Sequence, residues 1–180
     1  MDHYQGRTCE AGIASHLIHV HAANNDQYMN QWCWAACISM IFGYYGHIVS
    51  QHRIVQECYG SIINMPAQPH TILGALNRPW IDDAGNHFSA ISGNGISVPE
   101  LMAQDLAADC PLILGTQGHA MVMTAIKYGA PWVATPWGPR LGPTQVMSAT
   151  VRDPWPGRGK RILRADEWYQ VMFAAHIRVF

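Results

Sequence analysis

Hydrophobic periodicity changes character at Pro111, and no other feature constrains the fold of this chain as much. Before Pro111 the apolar residues recur at helical spacing; after it they come in short runs rich in Val, Ile and Thr. From Trp32 to Tyr45 the positions Ala36, Met40, Ile41 and Tyr44 mark an amphipathic helix that ends at Gly46. Ser50 can cap a second helix, Gln51 to Tyr59, which Gly60 stops. A third is expected near Thr71 to Leu76 within an otherwise irregular, Pro-rich stretch from 61 to 96. Ser97-Val-Pro99-Glu100 reads as a capping box that opens a helix running to about Asp109.

Beyond Pro111, Leu-Ile-Leu is a short buried strand and His119 to Tyr128 a second. Further strands are expected at about Ser148 to Arg152 and at His176 to Phe180, with Asp166 capping a short helix that carries Trp168 and Tyr169. Residues 129 to 147 read as one long loop, and Leu17, Ile18 and Val20 as a short extended segment near the start. The expectation is an α+β chain of one domain, 1–180: an extended segment over 1–26, a mainly helical lobe over 27–110 and a mainly β lobe over 111–180. A chain of 180 residues that is 49% apolar can bury a core of its own without disulfide staples.

Composition narrows the function classes. Lys plus Arg (11) nearly balance Asp plus Glu (12), so the basic stripe that a nucleic acid backbone attracts is missing. No stretch approaches the ~20 apolar residues of a membrane span, and the N-terminal residues lack a basic region leading into an apolar run. A soluble protein without a Sec signal, with neither a nucleic acid nor a membrane partner, is therefore expected. Five cysteines, Cys9, Cys33, Cys37, Cys58 and Cys110, are an odd number without regular spacing, so at least one is not paired within the chain. His16, His19 and His21 could share a strand face, but there is no His-Glu-x-x-His and no Cys-x-x-Cys; neither a metal nor a cofactor is expected.

The chemistry concentrates elsewhere. Cys33 falls in the first turn of its helix, where unpaired backbone N–H groups and the helix dipole favour negative charge, as a nucleophilic thiol needs. Cys37, one turn on, reads as a core residue. Gln27, six residues before Cys33 (33 − 27), can join the Cys33 backbone N–H as an oxyanion donor, with Gln31 a rival at closer range. His119, after Gly118 at a strand start, suits a general base. Asp153 ends the next expected strand, and could accept the Nδ1–H of His119 and leave Nε2 facing Cys33. Trp32, Trp34, Trp137, Trp155 and Gly118 are candidates to line a substrate cleft.

Taken together, Gln27-x5-Cys33-Trp34-Ala-Ala, Tyr44-Tyr45-Gly46, Val49-Ser50-Gln51-x-x-Ile54-Val55, Tyr59-Gly60, Gly118-His119-Ala120-Met-Val and Asp153-Pro154-Trp-Pro156-Gly157, ending near Glu167-Trp168, resemble a known group. It is the bacterial papain-like cysteine proteases with a short core, related to bacteriocin-leader peptidases and to effector proteases that bacteria inject into other cells. The resemblance implies a papain-like fold, helical left lobe and antiparallel right lobe, with Cys33 as nucleophile, His119 as base and acid, Asp153 as orienter and Gln27 as oxyanion donor. It departs from papain and the cathepsins in the short Cys33 to His119 interval (119 − 33 = 86 residues, against roughly 130 to 150) and in an Asp as third member. The expected activity is peptide-bond hydrolysis by a secreted effector or antibacterial toxin, with a protein or peptide substrate and a cognate immunity or inhibitor protein as partners. Acyl or glutamine transfer by the same residues, or a non-catalytic binding module, are the alternatives.

Overall fold

A computed structural model describes residues 7–14, 25–94, 98–163 and 165–180. Its centre is helix α1 (Cys33–Tyr44), ten of whose twelve residues are buried. The sequence pattern suggests an amphipathic helix; the structure corrects this, because Trp34, Ala35, Ile38 and Phe42 are buried on the faces that pattern leaves to solvent. A helix apolar on every side must be wrapped on every side. One side packs on strand β5 (His119–Ala130), and another meets α2 (Gln51–Tyr59). Phe42 stacks edge-on against Trp80 and Phe88, at 5.4 and 4.9 Å between ring centroids.

The helix ends follow local chemistry. Ser50 accepts the Arg53 N–H at the start of α2, and Gly60 closes it in the left-handed conformation at φ 72°. Helix α3 (Pro69–Leu76) starts on a proline, as does α4 (Pro99–Ala107). At α4 the cap position is Val98, which makes no side-chain cap bond, so the helix begins one residue later than a capping box on Ser97 would set; Ser97 itself lies outside the described residues. Helix α5 (Ala165–Trp168) holds Asp166 in its first turn, and Tyr169 falls beyond it.

The main sheet is antiparallel throughout, in the order β2-β3-β10-β4-β5-β8-β9. Strands β4 (Leu112–Thr116), β8 (Gln145–Asp153) and β10 (Phe173–Val179) lie where periodicity places strands, whereas β9 (Gly159–Leu163) was not expected from it. Others were not legible. Strands β2 (Pro79–Ile81) and β3 (His87–Asn94) occupy the stretch read as irregular, and β3 joins the sheet by pairing with β10. Strand β1 (Arg7–Gly12) pairs with the second half of β5, whose first half pairs with β4. Close approach there depends on Gly129: a Cβ at that position would run into the Arg7 carbonyl oxygen. The stretch read as one loop from 129 to 147 contains a separate hairpin, β6 (Trp132–Thr135) and β7 (Gly138–Leu141). Leu17, Ile18 and Val20 lie outside the described residues. Among the described residues no helix is long and apolar enough to cross a membrane.

Candidate active site

Cys33 is the first residue of α1, and the preceding Trp32 makes no side-chain cap bond. The helix N-terminus therefore points its unpaired N–H groups at the Cys33 end without a competing side chain. His119 opens β5 after a two-residue connection, Gln117-Gly118, that joins Thr116 to its partner across the hairpin. Gly118 takes φ 77°, a conformation side chains resist, and a Cβ there would meet nothing within 4 Å. The glycine is needed for the turn itself, not to make room for a neighbour.

Strands β5 and β8 are neighbours, with Val122 opposite Arg152, so the start of one lies beside the end of the other. His119 Nε2 accordingly sits 2.7 Å from Asp153 Oδ1. This reverses the ring expected from sequence: Nε2 faces Asp153, which leaves Nδ1 for the thiol side, and Cys33 is near enough to act on the His119 ring. Asp153 is fully buried, and its Oδ1 also accepts the Trp155 N–H at 3.0 Å. Burial disfavours charge on both partners, and their mutual bond outweighs it. His119 is lifted to about 9 by Asp153 and then Cys33, while Asp153 is driven below the usual carboxylate range by His119, the Trp155 N–H and Arg161.

Cys33 and His119 both line a cleft of about 330 Å³. Its walls are Trp34, the 66–69 segment that leads into α3 and Ile72 on the helical side, and the β4–β5 turn with Met172 and Phe173 on the sheet side. Gly118 belongs to this lining. Trp34 does too, although its ring is nearly fully buried and its indole N–H donates to the Met65 carbonyl at 3.1 Å. Trp32 does not: it is wholly buried and donates to the Ile63 carbonyl at 2.8 Å, which corrects its reading as a substrate wall. Trp137 stands 82% exposed in the β6–β7 turn, outside the cleft lining. Trp155 flanks the His119–Asp153 pair, edge-on to the His119 ring at 6.4 Å between centroids.

Gln27 is buried, whereas its rival Gln31 is exposed. One N–H of its side-chain amide is committed to the Met29 carbonyl at 2.9 Å, and among the described residues its Oε1 has no partner. The loop carrying it is anchored by residues that sequence reasoning missed. Arg152, fully buried on β8, reaches Asp26 Oδ1 at 2.5 Å, and the Gln51 amide on α2 bonds the Asp26 carbonyl and the Tyr28 N–H. A charged residue inside an apolar strand was the available signal for Arg152.

Cys37 is wholly buried, and burial with neighbouring Cys33 pushes its thiol well above the ordinary value, so it stays a neutral core residue. All five cysteines are free thiols. Among the described residues no three or more His, Cys, Asp or Glu side chains cluster as metal ligands.

The sequence profile described as the Peptidase_C39 like family matches residues 19–170. No curated protein matches the sequence. Among solved structures, the chain is similar to a double glycine motif protease from an AMS/PCAT transporter in complex with its leader peptide, with 15% identity over 86% of this chain and 87% of that one, at a TM-score of 0.53. It is also similar to the peptidase domain of Streptococcus ComA, a bi-functional ABC transporter involved in a quorum sensing pathway, with 14% identity over 86% and 94% and a TM-score of 0.55. A third, UfSP from C. elegans, shares 15% identity at a TM-score of 0.52, covering all of this chain and 36% of that one. These likenesses establish the papain-like α+β fold, and the profile, which spans most of the sequence, establishes that the chain belongs to the Peptidase_C39 like family of cysteine peptidases.

Proposed function

We propose that the protein hydrolyses peptide bonds with Cys33 as nucleophile, His119 as acid and base, and Asp153 as the orienter of His119. The observation that carries this reading is the placement of His119 between Asp153 Oδ1 and Cys33, at the wall of a cleft and at the start of α1. Held by Asp153 on one side and raised to about 9, the His119 ring takes the proton of the Cys33 thiol as the sulfur attacks. The sulfur attacks the scissile carbonyl carbon, and the oxyanion that forms is held by the Cys33 backbone N–H and the second amide N–H of Gln27. His119 gives its proton to the leaving amine. Water, with His119 as base, then attacks the acyl-enzyme and restores the thiol.

The substrate is a peptide segment laid across the cleft; a solved structure of this fold holds a leader peptide, which supports a peptide ligand. The setting we propose is a secreted effector or antibacterial toxin with a cognate inhibitor protein in its producer, on the strength of the sequence resemblance. Expression of the wild type and of Cys33→Ala in parallel, with new protein N-termini identified in each culture, tests both levels. The proposal requires N-termini that appear with the wild type alone, and growth inhibition relieved by the inhibitor. Cleavage that persists with Cys33→Ala would remove the nucleophile assignment, and harmless expression of active enzyme would remove the toxin role.

A further inference from the structure

Asp153 is gripped from both sides. Its Oδ1 serves His119 and the Trp155 N–H, and its Oδ2 accepts from Arg161 Nε at 2.9 Å, with Arg158 Nη1 farther out at 3.4 Å. Arg161 has no slack: Nη1 donates to Glu167 Oε1 at 2.7 Å, and Nη2 lies 3.3 Å from Met121 Sδ. One guanidinium on β9 thus ties the end of β8 to helix α5 and touches β5, the strand that begins with His119. The charges alternate along the line His119, Asp153, Arg161, Glu167.

Resting on the peptidase reading above, we propose that Arg161, braced by Glu167, is a positioning residue for the reaction: it fixes the plane of the Asp153 carboxylate and offsets its charge toward His119. A carboxylate turns easily about its terminal torsion, and bonds to one oxygen leave that rotation soft. A donor on the second oxygen locks the plane, and with it the direction of the His119 ring. Only arginine can do so while its other arm holds Glu167, because its donors form a rigid fork. Charge matters equally. Full anionic charge beside the imidazolium would hold the proton too firmly for His119 to pass it to a leaving amine, and a cation on the far side of the carboxylate weakens that hold. The groups that act on His119 are Cys33 from α1 and Asp153 from β8, with Arg161, the more exposed Arg158, and Glu167 behind Asp153.

The full chain, labelled with ¹³C-histidine, allows the His119 ring to be titrated by NMR, assigned by the signal that His119→Ala removes. In Arg161→Gln, which keeps a donor but drops the charge, the His119 midpoint should rise by roughly half to one pH unit. Arg161→Lys, which keeps the charge but cannot fork, should leave the midpoint within about 0.3 of the wild type while broadening the ring signal. Glu167→Gln should move the midpoint only when Arg161 is present. If the His119 midpoint in folded Arg161→Gln matches the wild type, or if Arg161→Lys shifts it as far as a loss of charge predicts, the inference is overturned. Iodoacetamide alkylation of Cys33 at pH 6 separates this from the reading beneath it: a wild-type rate that His119→Ala does not lower would sink the peptidase assignment itself, whatever the arginine variants do.

Discussion

Gln27 donates its backbone N–H to the Pro154 carbonyl at 2.7 Å, so the residue proposed to hold the oxyanion is tied to the residue that follows Asp153. The loop before α1 and the end of β8 are therefore one unit, and the two sides of the site cannot drift independently. Gln27→Ala keeps this backbone bond and removes only the amide. It should lower kcat by about 100-fold or more while leaving KM within about twofold, as expected for a donor used in the transition state. Steady-state kinetics on an identified peptide would check it, and an unchanged kcat would return Gln27 to the role of loop packing.

The His119 and Asp153 pair makes stability depend on pH in a defined direction. His119 rises from 6.5 to about 9 on folding, so its stabilising effect is complete below pH 6.5 and disappears as pH climbs through about 9. Asp153 moves the other way from its ordinary 3.8; its contribution is present above that value and is lost as pH falls through the depressed one. Urea midpoints across pH 3 to 10 should fall at both ends, and Asp153→Asn should flatten both. In that variant the His119 midpoint should drop toward 6.5, the ordinary value. A urea profile in which Asp153→Asn tracks the wild type at every pH would show that the pair does not govern the acid and alkaline limits.

Sequence periodicity located α2, α4, β4, β5, β8 and β10 because each has its own apolar pattern and local stop signals, such as Ser50 and Gly60 around α2. Strands β2 and β3 escaped for a physical reason: three residues at Pro79–Ile81 and a Ser- and Gly-bearing run at His87–Asn94 have little propensity of their own, and are held by pairing with each other and with β10. Strand β1, with a largely exposed face, is likewise specified by β5. Cys33, His119 and Asp153 were legible because each ends or begins an element. Which imidazole nitrogen meets Asp153 was not, since it depends on how β5 and β8 are staggered. Arg161 was hidden as well: only the turn from β8 into β9 brings it back to Asp153.

The two tryptophans flanking the site should separate packing from function. Trp32→Ala removes a wholly buried ring and its bond to Ile63, and should cost about 3–5 kcal/mol of stability. Trp155→Ala removes a ring that is 43% exposed and edge-on to His119, so its unfolding midpoint should change little while its peptidase rate falls. Denaturant unfolding and peptide kinetics on both variants give the comparison. A Trp32→Ala protein of wild-type stability but impaired KM would restore Trp32 to the substrate wall.

Asp26 provides the last test, of how the loop bearing Gln27 is held. Arg152 is fully buried, and its reach to Asp26 Oδ1 at 2.5 Å places one partner of the pair in the interior and the other at the margin. Asp26→Ala removes the carboxylate that faces the buried Arg152, which keeps its bond to the Asp153 carbonyl, so the fold should lose about 1–3 kcal/mol of stability. The same carboxylate also accepts the Gly157 N–H at 3.4 Å, and the Asp26 carbonyl accepts from Gln51, so the backbone bond survives the substitution while both side-chain ties are lost. Amide exchange should then quicken from Asp26 to Tyr28 ahead of any change in α2. The loss in kcat should resemble that of Gln27→Ala, because the oxyanion donor loses its anchor. If exchange in the loop stays slow and kcat holds at the wild-type value, the loop is positioned by its backbone bonds to Pro154 and Gln51 alone, and the Arg152 pair serves only the core.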